Sequence, residues 1–308
     1  MGKARVGLWL IVAAALLLGG CAGGKTGERQ QITIAMGFIP NVQFAPAYVA
    51  LEKGYFAEEG LDIALDYGME TDLLQRVGVN ELQFAIGSGD QVILARANEL
   101  PVCYILNWYR RFPVCVVSMA DKGINEPKDL IGKTVGTPVM QGASYIGWRA
   151  FLDQVGIAPD QVNLQVIGYT QVASLVEGRV DAAVCYAQNE PVQLREAGYK
   201  INVFYLDQYT HLISNGLITN DTTIKKNPKL VQSVTRAFLR GLQDTINNPD
   251  EAFEITRKAI PEMDASTVKL QRAVLQECVD WWRSDSLGVS QPEDWQESVA
   301  YLQKLQMV

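Results

Sequence analysis

The stretch Ala47-Tyr48-Val49-Ala50-Leu51-Glu52-Lys53-Gly54-Tyr55-Phe56, running on to Glu59-Gly60-Leu61-Asp62, decides the class of fold. Ala45 to Lys53 reads as a helix with Ala47, Tyr48 and Leu51 on one face. Gly54 follows as its stop, because glycine takes the left-handed conformation of a helix C-terminus without a Cβ clash. Leu61 to Leu65 then alternates in the way a strand does, and upstream Ile32 to Met36 is a second strand that halts at Gly37. Strand, helix and strand in that order make a β-α-β unit, which implies parallel pairing and an α/β fold.

The same alternation continues outward. Asp72 to Val77 reads as a helix, Phe84 to Ile86 as a strand ending in Gly87-Ser88-Gly89, Asp90 to Ala97 as a helix, and Pro101 to Leu106 and Val114 to Met119 as strands. After a polar stretch from Asp121 to Asp129 a second series begins. It has strands at Lys133 to Gly136, Leu164 to Ile167, Ala182 to Tyr186 and Ile201 to Leu206, and helices at Ser144 to Gln154, Val172 to Glu177 and Val192 to Ala197. Beyond His211-Leu212-Ile213 the chain reads as helical, with Pro228, Pro249, Pro261 and Pro292 at starts or breaks. The expectation is two α/β lobes with a hinge and a helical C-terminal tail. Lobe 1 takes residues 31–118 plus 208–308 and lobe 2 takes 119–207, with crossings near Ser118 to Lys122 and Leu206 to Tyr209.

The first twenty residues read as a leader. Lys3 and Arg5 are the only charges before Lys25, and the apolar run Val6 to Leu18 is shorter than the ~20 residues of a membrane span. Small residues Gly19-Gly20 then precede Cys21, as at a signal-peptide cleavage point. Leu18-Gly19-Gly20-Cys21 resembles the bacterial lipoprotein signal. That resemblance implies a Cys21 coupled to diacylglycerol, anchoring the protein on the extracytoplasmic face, with residues 21–30 as a polar tether.

Without Lys3 and Arg5, 25 basic residues face 34 acidic ones, a formal charge of −9. Such a balance argues against a nucleic-acid partner, and the body carries no second apolar run of spanning length. A single histidine, His211, makes a His-Cys metal site or a Ser-His-Asp set unbuildable on familiar lines. Cys103, Cys115, Cys185 and Cys278 lie at no zinc spacing, and read as buried thiols or as disulfide partners in an oxidising compartment. Gly132-Lys133-Thr134 fails as a phosphate loop, since Pro127 stands where the first glycine belongs. Neither catalysis nor a cofactor is expected.

Ligands of open α/β sheets sit beyond the carboxyl ends of strands, and those ends supply the candidates. Trp108 and Tyr109, with Asn107, follow one strand. An extended backbone would turn the two rings to opposite faces, so one of them suffices to stack on a flat ligand. Phe38 and Asn41 occupy the first strand-end loop. Asp90 opens a helix, as a cap or as a ligand contact. Ser144 and Tyr145 begin another helix, whose free N–H groups suit an anion or a carbonyl. Tyr186 and Glu190 close the set, Glu190 as an acceptor for N–H or hydroxyl donors.

The opening stretch, with Met36-Gly37-Phe38-Ile39-Pro40-Asn41 before it, resembles the thiamine-precursor-binding and sulfonate-binding proteins of ABC importers, which share a domain with the yeast-type thiamine pyrimidine synthases. The resemblance runs from about Ile32 to Asn220. It implies a type II periplasmic-binding-protein fold, an ABC permease and its ATPase as partners, and attachment to the cell membrane through the lipid alone. The synthase branch uses clustered cysteines and a sacrificed histidine; here no cysteines cluster and the sole histidine is His211, so that chemistry has no obvious carrier. Pyrimidine-binding relatives look like Trp-Thr-Pro-Asn where this chain has Phe38-Ile39-Pro40-Asn41, and like Tyr-Trp-Asn-Tyr-Glu where it has Tyr186-Ala187-Gln188-Asn189-Glu190. Smaller walls at Ile39 and Ala187 favour a three-ring vitamin, riboflavin, over an aminopyrimidine precursor. A sulfonate-like anion is the third choice, and a ligand-sensing ectodomain or a pyrimidine-synthase-like enzyme the readings from other classes.

Overall fold

A computed structural model describes residues 29–308. Cys21, the expected leader and all but the last two residues of the tether lie outside the described residues. The chain lays down β1 (Gln30–Met36), β2 (Leu61–Tyr67), β3 (Phe84–Ser88) and β4 (Val102–Asn107), then β5 (Val114–Met119), β6 (Thr134–Thr137), β7 (Asn163–Val166), β8 (Ala182–Tyr186), β9 (Ile201–Tyr205) and β10 (Asn215–Asn220). They form two five-stranded sheets, ordered β2-β1-β3-β10-β4 and β7-β6-β8-β5-β9. Between them run α1 (Ala45–Glu52), α2 (Tyr55–Glu58), α3 (Glu70–Gly78) and α4 (Gly89–Ala97) in the first lobe, and α5 (Gly142–Gln154), α6 (Gln171–Val176) and α7 (Glu190–Glu196) in the second. The tail is α8 (Asp221–Lys226), α9 (Pro228–Asn247), α10 (Pro249–Ala259), α11 (Val268–Trp282) and α12 (Pro292–Lys304). Two α/β lobes with mixed sheets and a helical C-terminal extension match a type II periplasmic-binding architecture.

Two expectations need correction. The chain leaves the first sheet after Asn107, and β5 already belongs to the second, so the first crossing spans residues 108–113 and not Ser118 to Lys122. Each sheet is also mixed. β1 pairs in parallel with β2 and β3, but β10 enters antiparallel between β3 and β4, and β5 enters antiparallel between β8 and β9. Each antiparallel strand is the one that has just arrived from the other lobe. The sequence reading missed β10, because Asn215-Gly216 and Thr219-Asn220 leave only Leu217 and Ile218 as a strand signal. Its place in the sheet comes from its neighbours: a side chain at Gly216 would put Cβ 2.2 Å from the Leu106 carbonyl oxygen.

The tail packs on the first lobe, and its last helix also reaches the second. Leu230, Val234, Ala237, Phe238, Gly241 and Leu242 fall at helical spacing and form the buried face of α9. Asn227 caps this helix by accepting from the Leu230 N–H. A Cβ at Gly241 would come 2.2 Å from the Pro46 carbonyl oxygen, so α9 rests directly on the backbone of α1. By contrast, Tyr301 and Leu302 of α12 join the apolar cluster of the second lobe, with Phe112, Phe151 and Leu206.

The same helix straps both crossings. Asp294 receives Arg110 at 3.3 Å, Glu297 accepts from the Thr210 hydroxyl and the His211 N–H at 3.1 Å each, and Ser298 accepts from the Ile213 N–H at 2.8 Å. Arg111 joins the crossings to each other through Asp207 at 2.6 Å and lies 3.8 Å from the Trp281 ring centre. Cys103, Cys115, Cys185 and Cys278 are all unpaired, and burial pushes the last three thiols well up. Cys103 is partly exposed and donates to Asp221.

Candidate functional site

A cleft opens where the strand ends of both sheets converge, enclosing about 1080 Å³ of space that includes its open mouth. Gly37 and Phe38 after β1, Gly87 in β3 and Trp108 after β4 line the first-lobe side. Pro138 and Val139 after β6 and Tyr186 ending β8 line the other. The first crossing builds the floor. The N–H groups of Trp108 and Tyr109 both donate to the Asn215 carbonyl at 3.0 Å, so the backbone curls around one acceptor. The two rings consequently lie 5.3 Å apart and both line the cleft, where an extended chain would have parted them.

Trp108 is the hub of an aromatic cluster. Its ring centre lies 6.0 Å from Phe44 and 5.5 Å from each of Phe238 and Trp282. It is 1 % exposed, and its Nε1–H has no partner. At the mouth, Phe38 of the first lobe meets Tyr169 of the second edge to face, with centres 5.2 Å apart. Tyr169 is 57 % exposed, so the pair roofs the cleft from outside.

Of the ten predicted ligand contacts, Phe38, Trp108, Tyr109, Ser144, Tyr186 and Glu190 line the cleft together. The other four do not. Asn41 caps the short turn over Val42–Phe44 by accepting from the Gln43 N–H. Asn107 donates to the Tyr104 hydroxyl at 3.1 Å, and its backbone N–H to Gly288. Tyr145 sits beside Arg149, whose guanidinium donates to its hydroxyl at 2.9 Å. Asp90 is fully buried behind the wall rather than capping α4, whose N-cap is Ser88. Its Oδ2 accepts from Gln91, its Oδ1 has no partner, and burial pushes its carboxyl up to about 6.

The wall-size comparison also fails. Ile39 is 62 % exposed and Ala187 is buried in the core, and neither lines the cleft. Glu190 lines the cleft with both oxygens engaged, Oε2 by the Tyr186 N–H at 2.8 Å and Oε1 by Asn189 at 2.9 Å. It largely organises the start of its own helix, and burial raises its carboxyl above the usual range.

Sequence reading missed Glu70, Gln43, Phe44, Tyr169, Gln171, Asn189 and Asn215, all of which line the cleft. Glu70 had a signal: a carboxylate in the first turn of a helix that follows a strand. Burial first, and then the neighbouring Asp90, push its carboxyl up to about 7.

No lysine, arginine or histidine lines the cleft among the described residues. Arg110 and Arg111, which follow the end of β4, are committed to Asp294 and Asp207.

A family model described as NMT1/THI5 like matches residues 41–252. The chain belongs to the NMT1/THI5-like family. It is a solute-binding protein of that family, related to the binding proteins of ABC importers. It is 40% identical over 281 residues to the riboflavin-binding protein RibY of Chloroflexus aurantiacus, spanning 89% of this chain and 80% of that one. Identity to the formylaminopyrimidine-binding protein of Halalkalibacterium halodurans is 28% over 308 residues, spanning 95% and 91%. The fold is also that of the periplasmic aliphatic sulphonate binding protein SsuA from Escherichia coli, with TM-score 0.72, 14% identity, and 90% and 94% of the two chains covered. An extracytoplasmic place is in keeping with these relatives.

Proposed function

We propose that this chain is the lipid-anchored solute-binding component of an ABC importer, and that it captures riboflavin for a permease driven by its ATPase. The observation that carries the ligand is a cleft walled by Phe44, Trp108, Tyr109 and Tyr186 that is lined, among the described residues, by acids and no cation. Aromatic faces stack on a flat ring system, whereas an anion would be left without a counter-charge beside Glu70 and Glu190. The similarity to the riboflavin-binding protein points the same way. The crossings at 108–113 and 206–214 serve as the hinge. No step of catalysis belongs to this reading, since the sole histidine lies outside the cleft lining, and bound ligand is expected back unchanged.

A fluorescence titration tests the ligand. Riboflavin stacked on Trp108 or Tyr109 should lose its emission at micromolar protein. Absence of quenching and of calorimetric heat, alongside binding of an aminopyrimidine, would move the assignment to the pyrimidine branch that the formylaminopyrimidine-binding relative represents.

The anchor rests on Leu18-Gly19-Gly20-Cys21. Cys21→Ser should release the protein from membranes or block processing of the leader, read by fractionation and by the mass of the N-terminal peptide. Normal processing with unchanged membrane partition would remove the anchor from the reading and leave the binding role intact.

A further inference from the structure

We infer that Glu70 is the specificity-determining acceptor of the cleft, and that it takes an N–H donor of a neutral heterocycle onto its free carboxylate oxygen, so that capture weakens in acid. This rests on the proposed function and names the contact that would fix the ligand's orientation.

The geometry is built around that carboxylate. Oε1 is fastened to the end of β3 by the Ser88 N–H at 2.6 Å and the Ser88 hydroxyl at 2.7 Å. Among the described residues the hydrogen bonds to this carboxyl all fall on Oε1, which leaves Oε2 as the free acceptor of a residue that lines the cleft. Two cleft-lining glycines make the room. A Cβ at Gly87 would lie 2.9 Å from Glu70 Oε1, and a Cβ at Gly37 would lie 3.4 Å from Glu70 Cβ and 2.9 Å from the Ile86 carbonyl oxygen. A side chain at either position would thus push into Glu70 or the β3 backbone. Glu190, the other acid of the cleft, has both oxygens engaged, so Glu70 offers the acceptor that the chain itself leaves unused.

The groups around Glu70 fix the sign of the pH effect. Asp90 of α4 lies behind Ser88, and Tyr169 and Tyr186 face it from the second lobe. On its own helix Arg76 is held by Asp66 and Glu81, and Asp72 points outward as an exposed residue. β1, β3 and β10 carry no ionisable side chain, Arg96 of α4 is paired with Asp221, and Cys103 and Tyr104 of β4 donate to Asp221 and to the Ser214 carbonyl. No cation therefore holds the carboxyl ionised, and its protonation falls near neutral pH. A ring imide N–H or an amino group binds the ionised form, so binding lowers the pKa of Glu70 and tightens as pH rises through its free-state value. With protonation near pH 7, one coupled proton makes binding about tenfold weaker at pH 6 than at pH 8.

The experiment titrates purified full-length protein with riboflavin, and separately with an aminopyrimidine, from pH 5.5 to 8.5. The wild type is expected to show the tenfold weakening in acid with whichever probe it binds. Glu70→Gln, which keeps the shape and both Ser88 contacts within reach, should bind at least tenfold more weakly at pH 8 and show no pH dependence. Ser88→Ala keeps the carboxyl but removes one bond that favours its ionised form, so it should move the midpoint of the pH profile upward. A Glu70→Gln protein that melts like the wild type and keeps its affinity, or keeps its pH dependence, overturns the inference while leaving the captured ligand as proposed. Wild-type protein that binds neither probe overturns both readings.

Discussion

Trp108→Ala is expected to cost about 3–5 kcal/mol of unfolding free energy and to abolish riboflavin quenching, the first read by urea titration and the second by fluorescence. The two effects share one cause. The indole is buried among Phe44, Tyr109, Phe238 and Trp282, drawn from the first lobe, the first crossing and the tail, and its removal empties the junction of all three. It is also a wall of the cleft. Trp108→Phe separates packing from recognition. It keeps most of the buried area and deletes an Nε1–H that has no partner among the described residues. Its stability loss should therefore be about 1–2 kcal/mol, well short of the alanine variant's, because only part of the indole volume is emptied. If Trp108→Phe loses as much stability as Trp108→Ala, the indole N–H has a structural partner, and the account of the site changes with it.

Asn220→Ala is expected to cost about 2–3 kcal/mol, although the residue lies outside the cleft lining. Asn220 ends β10, and its side chain is fully buried. Its Oδ1 accepts from the Thr223 N–H at 2.7 Å and so caps α8, while its Nδ2 donates to the Val77 carbonyl at 2.8 Å and reaches toward Leu82 at 3.4 Å. One amide thus ties the last strand to the end of α3 and to the turn that enters β3. Losing the cap costs about 1 kcal/mol, and the rest comes from buried backbone groups left without partners. Asn220→Asp keeps the cap oxygen but turns a second oxygen on those carbonyls, so it should be worse than alanine at pH 7. An aspartate variant milder than alanine would show that the cap carries nearly all of the effect.

The sequence by itself determined the α/β class, most strand and helix positions and the clustering of candidates at strand ends. Those follow from local rules: apolar period, glycine stops such as Gly54, and prolines such as Pro228 at helix starts. It also pointed to the family, because the motif from Ala47 to Asp62 is contiguous along the chain. What it could not determine was where the chain crosses between lobes. β5 reads equally well as the last strand of one sheet or the first strand inserted into the next, and only its pairing with β8 and β9 decides. β10 carries almost no local signal and is a strand because β3 and β4 lie on either side of it. The candidate site shows the same division. Trp108 and Tyr109 share the cleft because both backbone N–H groups converge on Asn215, a residue more than a hundred positions away. The free oxygen of Glu70 and the engaged oxygens of Glu190 look identical in a sequence. They differ because Ser88 binds one oxygen of the first, whereas Tyr186 and Asn189 take both of the second, and hydrogen-bond occupancy is a property of neighbours that only folding brings together.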